Sequence, residues 1–174
     1  MPKTLHNDLL YRRQYLICPE RCEALSHWQH VCVGDHHVYA HRDLELTRVD
    51  ADSGAGVTLV LLGYVIDPDN AGASNADILH ELAGAADATD RLTERLDHLS
   101  GRFVLLMVTP DDTLIFHDPC GLRAVYYTAH RGQLYVDSQP LLLKQIVPVR
   151  SDGRESEYAS SRYRKRRLEH WIPS

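Results

Sequence analysis

Residues 18–41 hold three of the four cysteines and five of the eleven histidines: Cys18, Cys22, His27, His30, Cys32, His36, His37 and His41. Thiolates and imidazoles are the donors zinc prefers, and Cys18-x3-Cys22 has the spacing of one ligand pair. A structural zinc site needs a second tight pair, and none follows. Cys32 stands between Val31 and Val33, where a strand would pack it in the core, and His36-His37 fall at a hairpin tip, in solvent. The sequence alone therefore assigns no metal ligand. Two other stretches could do chemistry. Arg162-Tyr163-Arg164-Lys165-Arg166-Arg167 interleaves cations with an aromatic ring, as RNA-binding tails do, but it reads better as a solvated linker or the basic edge of a contact with an acidic domain. Asp118-Pro119-Cys120-Gly121-Leu122-Arg123 reads as a turn: Pro119 fixes one φ, Gly121 permits a positive one, Asp118 caps backbone amides, and Arg123 pairs with a carboxylate.

The elements that must position these residues follow from periodicity. The 174 residues, 44% hydrophobic and 25% charged, suit a single globular core and exclude collagen, coiled coil and wholesale disorder. No apolar run reaches the roughly 20 residues of a membrane-spanning helix, and residues 1–8 hold no hydrophobic signal core, so a cytoplasmic protein is expected. Four cysteines are too few for a disulfide scaffold. The net charge of −5 is uneven, because residues 149–174 hold seven of the nineteen basic side chains against four acidic ones. The acidic remainder argues against a nucleic-acid-binding surface on the folded part.

Strands are expected at 13–18, in a hairpin through His30–Val33 and His37–Ala40, at Leu44–Val49 and along the apolar run Val57–Ile66, which fits a strand covered on both faces. Ser74 with Asp77 marks a helix start. A second helix from about Asp87 places Leu92, Leu96 and Leu99 on one side and stops at Gly101. Strands at about 102–109, 112–117, 123–129 and 133–137 follow, and Pro140 opens a short helix through Ile146. Strands, two helices, strands and a helix make an α+β domain over 1–148, with 149–174 a basic linker or tail.

The stretches Leu99-Ser100-Gly101-Arg102-Phe103, His117 to Tyr127 and Leu134-Tyr135-Val136-Asp137-Ser138, in this order and spacing, resemble the N-terminal glutaminase domain of asparagine synthetases and their relatives. Leu62-Gly63-Tyr64-Val65-Ile66-Asp67 and Ser74-Asn75-Ala76-Asp77-Ile78-Leu79 extend the resemblance upstream, so that it covers about 13–147. It implies a four-layer αββα Ntn-hydrolase-like sandwich with mostly antiparallel sheets. In that family an N-terminal cysteine attacks glutamine, its own α-amino group serving as base. Here Pro2 follows Met1, and neither offers a thiol.

Other pocket positions depart as well. Where the family has Asn-Gly for the oxyanion, this chain has Leu62-Gly63. Asn75 replaces the Asp that holds the substrate amine, and in His41-Arg42-Asp43-Leu44 the carboxylate-binding Arg position is Asp43, with Arg42 one place off. The resemblance thus implies no catalytic residue and a vestigial glutamine pocket of Arg42, Asp43, Leu62, Gly63 and Asn75, with Asp118, Gly121 and Arg123 kept as architecture. Relatives with such degenerate domains include β-lactam synthetases and lasso-peptide cyclases, ATP-dependent ligases of natural-product biosynthesis that form amides with an amine already in the substrate. The expected role is a pseudo-glutaminase scaffold for such an enzyme. Glu169-His170-Trp171-Ile172-Pro173-Ser174 resembles the linker into a synthetase domain, and no S-G-G-x-D-S loop is present. ATP and Mg are expected only in that synthetase domain, the expected partner in cis or as a separate chain, alongside room for a homodimer. Two alternatives stand beside this reading: a free-standing binding module using the vestigial pocket or the basic tail, and residual amidohydrolase activity after processing at Cys18, which lies near the nucleophile's register.

Overall fold

A computed structural model describes residues 10–51, 56–85, 89–148 and 160. Within them the chain is α+β, with two antiparallel sheets and few helices. Strands β1 (Tyr15–Cys18), β2 (Gln29–Val33) and β3 (His36–Ala40) join β8 (Tyr126–His130) and β9 (Gln133–Asp137) in a five-stranded sheet of order β2-β3-β1-β9-β8. The other sheet holds β4 (Leu46–Asp50), β5 (Thr58–Ile66), β6 (Ser100–Val108) and β7 (Thr113–His117), in chain order. Helices α1 (Asn75–Ala85) and α2 (Thr89–His98) lie between β5 and β6, and the short α3 (Pro140–Leu143) follows β9. No helix of the described residues is long and apolar enough to cross a membrane. The expected 149–174 tail lies outside the described residues, Ser160 apart.

The apolar run of β5 is buried on both sides, because successive side chains point to opposite faces. Leu59 and Leu61 pack with Ile78, Leu79, Leu82 and Leu92 of α1 and α2, whereas Val60 and Leu62 pack with Tyr15, Ile17 and Val38 of the other sheet. β6 divides in the same way, with Phe103 and Leu105 toward the helices and Val104 and Leu106 toward the facing sheet. β1 is likewise two-sided: Tyr15 and Ile17 face the other sheet, while Leu16 and Cys18 join Trp28, Tyr39, Tyr135 and Leu142 in a cluster on the outer side.

The helix start at Ser74 is a capping box: Asp77 Oδ2 accepts from the Ser74 N–H at 2.9 Å, and the Ser74 hydroxyl accepts from the Asp77 N–H at 3.3 Å. Gly101 differs from expectation. It lies inside β6 at φ +138, where a Cβ would sit 2.4 Å from the Tyr64 carbonyl oxygen, so it admits the neighbouring strand rather than ending a helix. α2 stops at His98.

Candidate functional site

A pocket of about 690 Å³ opens beside the start of β1. Its rim comes from places distant in sequence: Arg12–Gln14 before β1, Asp43–Glu45 between β3 and β4, Gly63 of β5, Arg102 of β6, and the 121–124 turn. The 41–45 segment is shaped by alternate burial. His41 is buried edge-on to Trp28 at 5.6 Å and Leu44 is buried between the sheets, which leaves Arg42 and Asp43 exposed between them. The Gln29 side-chain amide donates to the His41 and Leu44 carbonyls, at 3.2 and 2.8 Å, and fixes the turn.

The 118–123 turn behaves as its residue types imply. Asp118, fully buried, accepts from the Leu122 and Arg123 N–H groups at 2.8 and 2.9 Å, and Gly121 takes φ +60. Contrary to expectation, Arg123 pairs with no carboxylate among the described residues. Its Nη1 donates to the Arg13 carbonyl at 3.1 Å, where Arg13 takes the left-handed φ +58, and its Nε is buried without a partner. Only 8% of Arg123 is exposed, and burial, then the charge of Arg102, lowers its pKa. Tyr15, buried at the head of β1, ties the same wall down by donating to the Ala124 carbonyl at 2.9 Å.

Of the residues expected in the vestigial pocket, Asp43 and Gly63 line it. Asp43 meets Arg12 at 2.7 Å, and that hydrogen bond holds its carboxyl below the usual range. Arg42 is not among the lining residues. Leu62 is fully buried between the sheets, away from the pocket. The Gly63 N–H, the one backbone donor that the resemblance places toward an oxyanion, donates instead to the Glu45 carbonyl at 2.8 Å. Asn75 stands behind the wall with its amide fully engaged: Nδ2 donates to Glu45 Oε1 at 2.7 Å and to the Gly63 carbonyl at 3.2 Å, and Oδ1 accepts from the Val65 N–H at 3.0 Å. It functions as a clamp across β5.

Cys18 is not at this pocket. It ends β1, about 10 Å of strand beyond Tyr15, with its side chain in the outer cluster, and burial pushes its thiol up to about 12. A thiol so placed and so reluctant to ionise is a poor nucleophile. Among the lining residues the hydroxyl of Ser138 is already engaged with Tyr15, accepting from its N–H at 2.9 Å and donating to its carbonyl at 3.3 Å. The pocket can therefore attract and orient an anion through Arg13, Arg102 and Arg123, but it offers no thiol to attack an amide and no free backbone donor at Gly63 to stabilise the resulting oxyanion.

Sequence reasoning did not single out Arg12, Arg13 or Arg102. The available signal was the adjacent cationic pair Arg12-Arg13 at the start of the first expected strand. Cys32 also departs from expectation: it is exposed, not packed, and the 18–41 stretch divides between a buried Cys18, a buried His41 and a surface group of His30, Cys32 and His37. No protein-family model matches the chain, and no curated protein matches it.

Proposed function

We propose that the chain is a catalytically inactive glutamine-amidotransferase-like domain, an αββα Ntn-hydrolase-like sandwich of four layers, that serves as a scaffold for an asparagine-synthetase-like, ATP-dependent amide-forming enzyme. The observation that carries the reading is the pocket at the head of β1, where the Gly63 N–H is bonded to Glu45, Leu62 is turned into the core, and no lining residue bears a thiol. Helical clusters on the outer side of each sheet agree with the layering. In such an enzyme ATP and Mg belong to the synthetase domain, which activates a carboxylate as an acyl-adenylate. An amine already in the substrate then completes the amide, so no ammonia is needed and the glutaminase apparatus is free to decay. The function assigned to this fold rests on resemblance in the 99–138 stretches, and the inactivity rests on the pocket.

The scaffold role predicts a physical partner. Mixing the purified chain with the asparagine-synthetase-like ATP-pyrophosphatase domain of the same organism should give one complex on gel filtration and raise that domain's melting temperature. Two components that elute and melt independently would contradict the role.

A further inference from the structure

His30 and Cys32 stand two residues apart on β2 and so share one face of the sheet, and His37 of β3 is the cross-strand partner of Cys32. The three donor atoms close a small triangle. His30 Nε2 and His37 Nδ1 are 2.9 Å apart, and Cys32 Sγ lies 3.6 Å from the first and 3.5 Å from the second. A tetrahedral zinc ion bound at about 2.0–2.1 Å to nitrogen and 2.3 Å to sulfur requires S···N edges of about 3.6 Å and an N···N edge of about 3.3 Å. Both sulfur edges already have that length. The nitrogen edge is short by a few tenths of an ångström, which a small rotation of either ring about its Cβ–Cγ bond would open.

The rings are also held. His30 stacks on Tyr39 at 4.5 Å and lies nearly parallel to His37, at 8°. Tyr39 itself is 2% exposed, and its hydroxyl accepts from the Cys22 N–H at 2.9 Å, so the base of the triangle belongs to the packed outer cluster. Arg21 is the cation whose charge reaches His30, and it is ion-paired with Glu23 at 3.0 Å. His30 and Cys32 are exposed and His37 is half-buried, which leaves an approach from solvent. Among the described residues this is the one group of three or more His, Cys, Asp or Glu side chains that could hold a metal ion.

We propose that His30, Cys32 and His37 form a surface site for a borderline-soft divalent ion, zinc above all, with three protein ligands and a fourth position open to water or an external ligand. Two imidazoles and a thiolate disfavour Mg and Ca, which take oxygen donors. On binding, Zn(II) replaces the Cys32 thiol proton, which leaves to solvent. Such a site pins β2 to β3 at the edge of the five-stranded sheet, shares no residue with the arginine-rich pocket, and does not depend on the pseudo-glutaminase reading.

The test uses the tag-free, reduced chain stripped by a chelator and titrated with Zn(II) against a chromophoric zinc indicator, and separately with Co(II). One equivalent should bind, and the cobalt form should show a thiolate-to-cobalt charge-transfer band. Cys32→Ser should abolish that band, and His30→Ala and His37→Ala should each weaken zinc binding by more than the roughly 10–100-fold that losing an outer-shell partner costs. His36→Ala, one residue away and hydrogen-bonded to Thr113, should leave the affinity unchanged. Circular dichroism of each metal-free variant guards against misfolding. A cobalt complex without the band, or zinc binding that survives both Cys32→Ser and His37→Ala, would overturn the site and reduce it to adventitious binding by scattered histidines.

Discussion

Gly63 shows how much one residue decides here. It takes φ +118, a Cβ there would lie 2.2 Å from the Arg102 carbonyl oxygen, and its N–H holds Glu45. Gly63→Ala should therefore force β5 from β6 and cost more than about 3 kcal/mol, read as a fall in the urea midpoint. Gly84→Ala, where nothing lies within 4 Å of the added methyl near the end of α1, should stabilise by about 0.5–1 kcal/mol. Asp137 makes a prediction about pH. It is fully buried, its Oδ2 accepts from the Leu143 N–H at 2.9 Å, its Oδ1 has no partner, and burial raises its pKa to about 7. The folded state then holds this proton more tightly than the unfolded chain, whose aspartate titrates near 3.9. Its contribution to stability is complete below about pH 4 and is lost as pH rises toward 7, an effect on the order of a few kcal/mol. Asp137→Asn should flatten this slope in urea titrations at pH 4.5 and 7.5, and an unchanged slope would remove Asp137 as its source. Single residues were legible in the sequence where their partners are local: Asp118 with the amides of Leu122 and Arg123, or Ser74 with Asp77. They were illegible where the partner is remote, as for Asn75 with Glu45, thirty residues away, or Arg123 with the Arg13 carbonyl, 110 residues away.

At the scale of elements, strand existence was set by apolar runs and turn residues, and these are local properties. The two-sided run of β5 and the hairpin of β2 and β3 around Gly34 are present as expected, with Val33 paired to His36 across a two-residue turn. Pairing order was not local. β1 sits in mid-sheet between β3 and β9, with Leu16 opposite Asp137, and no short window of sequence carries that information. The same geometry explains why Cys18 was read near the nucleophile's register: the strand was legible, but which of its ends meets the pocket was not. α2 tests how the helices are held. It is strongly amphipathic in sequence, and Leu92 is fully buried against the β5–β6 face. Leu92→Ala should cost about 2–5 kcal/mol, measured by thermal or urea unfolding. A loss below 1 kcal/mol would mean that the helix layer contributes little to holding the sheet.

Across the described residues, the two sheets enclose one apolar cluster, and each has a further cluster on its outer side. The pocket lies where several connections converge at the head of β1, and its character is set by arginines: among the described residues Arg12 is matched by Asp43, while Glu45 is turned to Asn75 and Arg13, Arg102 and Arg123 have no ion pair. The central proposal is that this pocket is a glutamine site that has lost its chemistry. The direct measurement is glutamate release from L-glutamine by the purified chain, with intact mass recorded on the same sample to define its first residue. The account predicts no glutamate above the protein-free blank, whatever that first residue is. Sustained glutamate release in proportion to protein, abolished by Cys18→Ala, would contradict it and would mean that the buried thiol of β1 reaches a substrate after all.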